Sequence, residues 1–169
     1  MADMIAVEVE GLSELVAKAR DNGTLLGKPI RVLFTKASLA VQKYGREFAP
    51  VDRGQLRSGI SYDVDGAAIP EWAEIGPLAK HGAAVEFGIG DFNEGPGGLG
   101  QRPLPTEGEL EGWAHRHGMT AHHIWKIIHN RGGIRPVRYM RDGFQAAMPD
   151  IDNHVKECAS DIEEEWRRD

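Results

Sequence analysis

The sequence changes its hydrophobic period at residues 48–58, and this change restricts the possible folds more than any other feature. Between residues 30 and 48, apolar side chains recur every three or four positions, which is the spacing of a helix with one buried face. Between residues 56 and 64 they recur at every second position, which is typical of a half-buried strand. The chain is therefore predicted to pass from a long helix directly into a sheet.

The residues between helix and strand each have a physical reason to form a turn. Pro50 disfavours helical geometry at Ala49 and so ends the helix. Asp52 can accept a hydrogen bond from a nearby backbone amide, and Gly54 adopts a positive φ without steric cost. On physical grounds alone, this segment predicts a corner between helix and strand and no further role.

The long helix is predicted to begin near Pro29, which fits a first helical turn. A short amphipathic helix is predicted before it, at residues 12–20. After the corner, residues 71–76 predict a second strand antiparallel to the first, with a tight turn at Asp65 and Gly66. The predicted buried face of the long helix has seven members: Ile30, Leu33, Phe34, Ala37, Val41, Tyr44 and Phe48.

The middle of the chain is rich in glycine and proline. Residues 85–88 fit either a third strand or one turn of helix, and their spacing does not decide between the two. Six glycines lie between residues 88 and 100, so residues 90–105 are predicted to form an exposed, mobile loop. The loop lacks the Lys-Ser or Lys-Thr pair that a phosphate-binding loop requires.

Two short helices are predicted after this loop. Thr106 and Glu109 have the spacing of a capping box, and Thr120 can cap the second helix. Glycines at position 118 and at positions 132–133 are typical of helix ends. Residues 106–133 are therefore predicted to form a helical hairpin.

A long C-terminal helix is predicted from residue 139 onward. Pro149 lies inside it, which predicts a kink, or a break with Pro149 in the first turn of a new helix. The apolar stripe of this helix consists of Met140, Phe144, Met148, Ile151, Val155, Cys158, Ile162 and Trp166. The predicted fold class is α+β, with long helices packed on a small antiparallel sheet, an inserted helical hairpin and a long C-terminal helix.

Composition predicts one soluble globular domain, residues 1–169, in which residues 90–133 form the loop and hairpin insert. The sequence has no apolar run long enough for a membrane span and no secretory signal at its start. A single cysteine, Cys158, fits a reducing cytoplasm. The net charge of −6 argues against a high-affinity DNA-binding domain.

Residues with catalytic or metal-binding chemistry do not form a known constellation. The five histidines between His115 and His129 lack the spacing that places zinc ligands on one helix face. Ser58, Ser61 and Cys158 do not lie in a nucleophile elbow. The sequence therefore predicts no enzyme, no metal site and no cofactor.

Three short motifs occur in order along the chain. The first, at residues 49–60, is carried by Pro50, Asp52, Gly54, Leu56 and Arg57, the second, at residues 83–89, by Glu86, Phe87 and Gly88, and the third, at residues 136–144, by Met140 and Arg141. Taken in this order, they resemble a family of tailed-bacteriophage neck or tail-completion proteins that includes relatives of the minor tail protein Z type. The resemblance covers residues 28 to about 160 and departs from the family at Arg53 and Ile89, where threonine is commoner.

This resemblance implies a virion structural protein that forms a ring, with six copies expected, between the head-side connector and the tail. Its expected partners are further copies of itself, the head-side connector proteins and the tail terminator or tail tube, with DNA passing through. Six copies would carry a net charge of about −36, which predicts a neutral or acidic inner wall and apolar contacts between subunits. The expected contact residues are Phe92, Leu99, Leu104 and Trp113.

Two other classes of function stay open at this point. One is a soluble metal-binding module or hydrolase built on the cluster from His115 to His129. The other is a small nucleic-acid-binding phage protein. The location implied by the resemblance is the neck or tail end of the virion, after synthesis in the host cytoplasm.

Overall fold

A computed structural model of the chain describes residues 5–6, 26–95 and 103–168. The chain forms two compact units. Unit 1 combines residues 1–80 with residues 139–169, and unit 2 consists of residues 81–138. The predicted insert at residues 90–133 lies within unit 2, and the predicted short helix at residues 12–20 lies outside the described residues.

Unit 1 is organised around helix α1, Gly27–Phe48, with Pro29 in its first turn. Phe48 is 48% exposed, so its assignment to the buried face is wrong. The chain leaves helical geometry at Ala49, with φ −63° and ψ 129°, and the Ala49 methyl group takes a buried position instead. The rest of the predicted face is confirmed by burial of Ile30, Leu33, Phe34 and Val41, with Ala37 and Tyr44 half-buried.

The corner after α1 contains a short helix that the sequence did not predict. Helix α2, Gln55–Ser58, occupies positions assigned to the start of a strand, so that part of the prediction is wrong. The misreading has a simple cause: Leu56 and Ile60, both buried, lie four residues apart, and this spacing fits a helix as well as a strand. The strand itself begins at Ile60.

The sheet of unit 1 contains three strands, β1 (Ile5–Ala6), β2 (Ile60–Val64) and β3 (Ala73–Pro77). Their order is β1-β3-β2 and both pairings are antiparallel, with Tyr62 opposite Ile75. The second predicted strand is therefore confirmed in type and orientation. Helix α1 is tied to the sheet by Gln42 and Arg46, whose side chains both donate to the carbonyl oxygen of Ile60, at 2.8 and 2.9 Å.

The predicted tight turn at Asp65 and Gly66 is wrong, because the connection between β2 and β3 is longer than such a turn. It runs from residue 65 to residue 72. The Asp65 carboxylate organises this loop, because it accepts hydrogen bonds from the backbone amides of Ala67 at 3.1 Å and Glu71 at 3.2 Å. An aspartate that bonds the amides of a wider loop has the same sequence signature as one in a tight turn.

The C-terminal helix α3 of unit 1, Tyr139–Arg168, continues through Pro149 without interruption. The predicted break is therefore wrong. Pro149 is exposed, while Ala147 on one side of it and Ile151 on the other are buried, so packing is continuous across the proline. Two members of the predicted apolar stripe are exposed and not buried: Met148 at 40% and Val155 at 38%. The side chain of Trp166 lies outside the described part of the chain.

Helices α1 and α3 pack closely at a pair of glycines. A Cβ atom on Gly143 would lie 2.6 Å from the backbone nitrogen of Gly45, so the two backbones touch without intervening side chains. Farther along the pair, Lys36 Nζ lies 2.8 Å from Glu157 Oε2. Since the residue numbers rise on one helix as they fall on the other, the helices run antiparallel.

Unit 2 resolves the open assignment of residues 85–88 as helix. Helix α4 is Gly82–Phe87, and strand β4, Ile89–Gly90, pairs antiparallel with β5, Gly133–Ile134. The predicted hairpin is confirmed as α5, Glu107–Arg116, and α6, Ala121–Asn130. Residues 96–102 of the predicted glycine-rich loop lie outside the described residues.

The two units together confirm the predicted α+β class. Every helix in the described part of the chain is too short or too polar to span a lipid bilayer.

Candidate functional site

The first motif forms the corner at the end of α1. Gly54 has φ 74° and ψ −4°, and the predicted positive φ is confirmed. No atom lies within 4 Å of the position that a Cβ on Gly54 would take, so its conformation, and not the available space, favours glycine. The prediction that Asp52 accepts a backbone hydrogen bond stays a prediction; its side chain is exposed, as is Pro50.

Two further residues of this motif stabilise the end of α1. Leu56 is buried, with 5% exposure. The Arg57 guanidinium reaches back to the helix and donates to the carbonyl oxygens of Glu47 at 3.4 Å and Ala49 at 3.5 Å. A cation at a helix C-terminus also interacts favourably with the helix dipole. The corner is thus a structural unit in which Leu56 packs and Arg57 satisfies carbonyl groups that the helix leaves without partners.

The third motif packs against the same end of α1. Met140 is 2% exposed, and its sulfur lies 3.0 Å from where a Cβ on Gly45 would be. Gly143 in the same motif makes the backbone contact with Gly45 described above. Arg141 is half-buried. The third motif therefore packs on Gly45 in the last turn of α1, and the first motif follows this turn along the chain.

The second motif lies at the end of α4 in unit 2. Glu86 is buried, with 3% exposure, and Phe87 is half-buried. Gly88 has φ 77°, and a Cβ there would lie 2.8 Å from the carbonyl oxygens of both Ile134 and Phe92. This glycine is required both by its conformation and by the close approach of two backbone segments.

Residues 137–138, immediately before α3, are bonded to the second motif through the backbone. The amide of Val137 donates to the Val85 carbonyl at 2.8 Å, and the amide of Arg138 donates to the Glu86 carbonyl at 3.2 Å. Arg138 has a positive φ of 59°, which is uncommon for a residue with a side chain. Its guanidinium forms a bidentate pair with the Glu94 carboxylate, in which Nε donates to Oε2 at 2.8 Å. Arginine is not a residue type that favours positive φ, so the sequence did not indicate this conformation.

The residues predicted to contact neighbouring subunits differ in exposure and in the contacts that they make within unit 2. Phe92 is half-buried beneath Arg135, whose guanidinium carbon lies 5.2 Å from the ring centroid. Leu104 is half-buried, with a methyl carbon 2.7 Å from where a Cβ on Gly90 would be, so it packs within unit 2. Trp113 is 37% exposed. Leu99 lies outside the described residues.

Three of the five hairpin histidines take part in ring contacts or hydrogen bonds. Trp113 stacks on His117, with ring centroids 4.2 Å apart, and Trp125 contacts His129 at 4.0 Å. His122 Nδ1 lies 2.8 Å from Glu107 Oε1, which joins α6 to α5. Within the described residues, no group of three or more His, Cys, Asp or Glu side chains is placed to hold a metal ion.

Charge is divided unequally between the two units, which the net charge of the whole chain conceals. Unit 1 contains fourteen Lys and Arg against twenty Asp and Glu, whereas unit 2 contains six of each. The thirty residues 112–141 contain six Lys or Arg, five His and no Asp or Glu. Residues 142–169 contain nine Asp or Glu and three Lys or Arg. The acid-free stretch and the acidic stretch after it would have been found by summing the charge over successive segments of the sequence.

Exposed apolar side chains lie on both units. Leu78, after β3, is 76% exposed, and Val51, in the corner, is 59% exposed. Single exposed apolar residues are ordinary on protein surfaces, so none of them defines a site alone. Others of this kind in unit 1 are Val32, Leu39, Phe48, Trp72, Met148 and Val155.

Comparison of the chain with models of protein families, with curated proteins and with solved structures finds no match.

Proposed function

We propose that the chain is a virion structural protein of the neck or tail-completion type. In this role, several copies form a closed ring that joins the head-side connector to the tail and lets DNA pass. The ring surfaces, and not a catalytic site, perform the function.

One observation supports this proposal above the others: the segment that carries the third motif makes contacts near each of the other two motifs. In unit 1, Met140 and Gly143 pack on Gly45, in the last turn of α1 before the first motif. The residues just before Tyr139 are bonded through the backbone to the second motif. Chance similarities in short motifs need not be brought together by a fold. Their connection is what a shared architecture requires.

The asymmetric surface of the molecule also fits a ring. A closed ring of identical subunits needs two different patches on each subunit, which meet head to tail. Unit 1 carries the whole net negative charge, and unit 2 is neutral and contains six of the seven histidines. The two units thus offer surfaces of different chemistry.

Electron microscopy of the purified protein, alone and mixed with phage tails that lack their neck end, tests the proposal. We expect rings with an open centre at one end of the tails, and six copies of the 18.6-kDa chain would add about 112 kDa. Tails without added protein are the first control. Tails with a bare end after mixing, together with an absence of rings at any protein concentration, would contradict the proposal.

A pair of tryptophan variants tests the predicted contact residue. Trp113 in unit 2 and Trp72 in unit 1 are exposed to similar extents, 37% and 43%. We expect Trp113→Ala to weaken ring formation and Trp72→Ala to leave it unchanged, since exposed aromatic residues that become buried dominate many interfaces. Equal effects of the two substitutions would remove Trp113 from the contact.

A further inference from the structure

Two segments of unit 2 are bonded side by side, and we call them the insert base: residues 85–94 and residues 132–138. Strands β4 and β5 pair within it, and the amide of Asp91 donates to the Gly132 carbonyl at 2.8 Å. The backbone bonds from residues 137–138 to the second motif continue the contact at one end. The helical hairpin lies between the two segments along the chain, so the insert base closes the insert into a loop.

The insert base contains several residues of positive φ, and all but one of them are glycines. Gly88, Gly90, Gly132 and Gly133 have φ between 67° and 144°. The exception is Arg138, with φ 59°, which is the single non-glycine residue of positive φ in the described part of the chain. A residue with a Cβ atom has a cost in this conformation that glycine avoids. Position 138 therefore has a reason other than backbone conformation to carry arginine.

The guanidinium group of Arg138 supplies that reason. It forms a bidentate pair with the Glu94 carboxylate, in which Nε donates to Oε2 at 2.8 Å and Nη2 donates to Oε1. Glu94 is itself bonded to its own segment, because its amide donates to the Phe87 carbonyl at 2.8 Å. Bidentate pairing fixes the geometry of both groups, and its hydrogen bonds are stronger than those between neutral groups. The pair thus joins the last residue of the second segment to the last residue of the first.

We propose that the pair of Glu94 and Arg138 is a latch, which holds residue 138 in its left-handed conformation and so keeps the insert base closed. Without the pair, the cost of this conformation is offset less, and residue 138 relaxes toward negative φ. Such a change redirects the chain at residue 138, as it does at a hinge residue that absorbs a change in φ. The backbone bonds of residues 137–138 to the second motif then open.

The balance between the pair and the backbone conformation decides how far the insert base opens. Exposed ion pairs contribute little in general, but the bidentate pairing of arginine with a carboxylate is the geometry in which they contribute most. The side chains of Arg138 and Glu94 are 45% and 37% exposed, so water screens the pair in part. Loss of the pair is therefore expected to shift the opening equilibrium several-fold and not to unfold unit 2, because the pairing of β4 with β5 remains.

The latch acts on conformation and is independent of the proposed ring. When the insert base opens, the hairpin is held less rigidly by the rest of unit 2, while its own helix caps and ring contacts stay in place. The isolated protein is therefore sufficient to test the latch, and the result does not depend on assembly.

Amide hydrogen exchange, followed by NMR, provides the experiment. The reporters are the four bonded amides of the insert base: Asp91, Glu94, Val137 and Arg138. Glu94→Gln keeps the size of the side chain and removes its charge. We expect exchange at the four amides to become about fivefold faster, while exchange within α5 and α6 is unchanged.

The matched control is Glu163→Gln in α3. The Glu163 carboxylate also lies near an arginine, 3.5 Å from Arg167, but it belongs to unit 1. Removal of this charge is expected to leave the four amides at their wild-type rates. Equal acceleration by Glu94→Gln and Glu163→Gln would indicate a general effect of net charge and overturn the latch. Circular dichroism checks that each variant is folded.

Two substitutions of Arg138 separate the pair from the backbone conformation. Alanine keeps the cost of positive φ and lacks the guanidinium, whereas glycine lacks both. We expect Arg138→Ala to exchange at least as fast as Glu94→Gln, and Arg138→Gly to stay close to the wild type. Adding Glu94→Gln to Arg138→Gly is expected to have no further effect, because the guanidinium that the carboxylate binds is already absent.

Three results from these variants would overturn the latch. Wild-type exchange in Glu94→Gln would mean that the pair does not hold the insert base closed. Equal exchange in Arg138→Ala and Arg138→Gly would mean that positive φ has no cost at this position. Acceleration by Glu94→Gln that persists in the Arg138→Gly background would mean that Glu94 acts through another group.

A salt titration decides the question if Arg138→Ala does not fold. Raising the ionic strength from about 0.05 M to 0.5 M screens the pair. It should accelerate exchange at the four amides in the wild type but not in Glu94→Gln. Equal acceleration in both proteins would overturn the latch, since the screened charges would then lie elsewhere.

Discussion

Unit 1 and unit 2 are held together in different ways. In unit 1, bulky apolar residues of α1, α3 and the sheet are buried, and the two long helices touch at Gly45 and Gly143. In unit 2, the buried apolar residues among those described are only four: Ala83, Ile89, Ala114 and Ile128. The hairpin instead depends on helix caps, ring stacking and the bond between His122 and Glu107.

This difference teaches where stability and recognition lie. Burial of apolar area is the main favourable term in folding, so unit 1 carries most of the stability of the described structure. Unit 2 has fewer such contacts, and local opening is expected where buried apolar contacts are few. Unit 2 exposes Trp113 and five of its six histidines. The unit with the weaker core is therefore the unit with the more distinctive surface.

The largest expected effect comes from truncating one buried isoleucine in each unit. Ile30→Ala in α1, where the side chain has no exposure, should lower the free energy of unfolding by about 2–5 kcal/mol. Ile128→Ala in α6 should instead open the hairpin alone. Urea denaturation measures the first effect, and amide hydrogen exchange resolved by segment measures the second.

The comparison fails if the two units unfold together. Ile128→Ala would then accelerate exchange in α1 as much as in α5 and α6. In that case unit 2 would be part of one cooperative structure, and its small core would not imply independent opening.

A smaller effect is expected from adding one methyl group to a helical glycine. Gly143→Ala in α3 would force apart two touching backbones, which should cost about 1–3 kcal/mol. Gly108→Ala in α5 is the matched control, because no atom lies within 4 Å of its Cβ position. There the higher helix propensity of alanine should stabilise the helix, by up to about 1 kcal/mol. Thermal unfolding of both variants measures the opposite signs, and a neutral Gly143→Ala would mean that the helix pair can relax.

A second pair of glycines separates the effect of backbone conformation from that of packing. Gly54 and Gly66 both have open space at the Cβ position, but only Gly54 has a positive φ. Gly54→Ala should destabilise unit 1 by about 1 kcal/mol, and Gly66→Ala should have no such cost. Chemical denaturation of the two variants side by side measures the difference. Equal values would show that the corner adapts to a side chain.

Much of the fold could be predicted because it depends on local patterns. The face of α1, the positive φ of Gly54 and the capping box of Thr106 and Glu109 each follow from a few adjacent residues. Errors arose where two patterns coincide or where tertiary packing decides. Leu56 and Ile60 fit both periods, and α3 continues through Pro149 because residues on either side are buried.

The candidate surfaces were less predictable for a different reason. Trp113 was predicted as a contact residue and is exposed, but Phe92 and Leu104 are partly used within unit 2 by partners distant in sequence. The acid-free stretch at residues 112–141 is visible in the sequence, yet a net charge taken over the whole chain averages it away. The positive φ of Arg138 has no local signal, and the residues that Arg138 bonds, Glu86 and Glu94, are more than 40 positions away in the sequence.

The smallest expected effect is a change in the pKa of one carboxyl group in each unit, because the two groups are stabilised by different hydrogen-bond donors. In unit 2, the backbone amide and the hydroxyl of Thr106 donate to Glu109 and hold the pKa of that carboxyl below its usual value. In unit 1, the hydrogen bond from Lys36, with a second from His154, lowers the pKa of Glu157. Each lowered pKa means that the carboxylate stabilises the folded state above its ordinary titration range, and that this contribution is lost as the pH falls through the folded pKa.

Salt separates the two carboxylates because only one of them has a charged partner. Raising the ionic strength from about 0.05 M to 0.5 M should move the pKa of Glu157 upward toward its usual value and leave that of Glu109 nearly unchanged, since a neutral donor is not screened. NMR titration of the two carboxyl carbons measures both shifts in one sample. Thr106→Val, which removes the hydroxyl donor, should raise the pKa of Glu109 alone, and Lys36→Met should raise that of Glu157 alone. A Glu109 pKa that changes with salt as much as that of Glu157 would show that cationic side chains, and not the capping box, stabilise its charge.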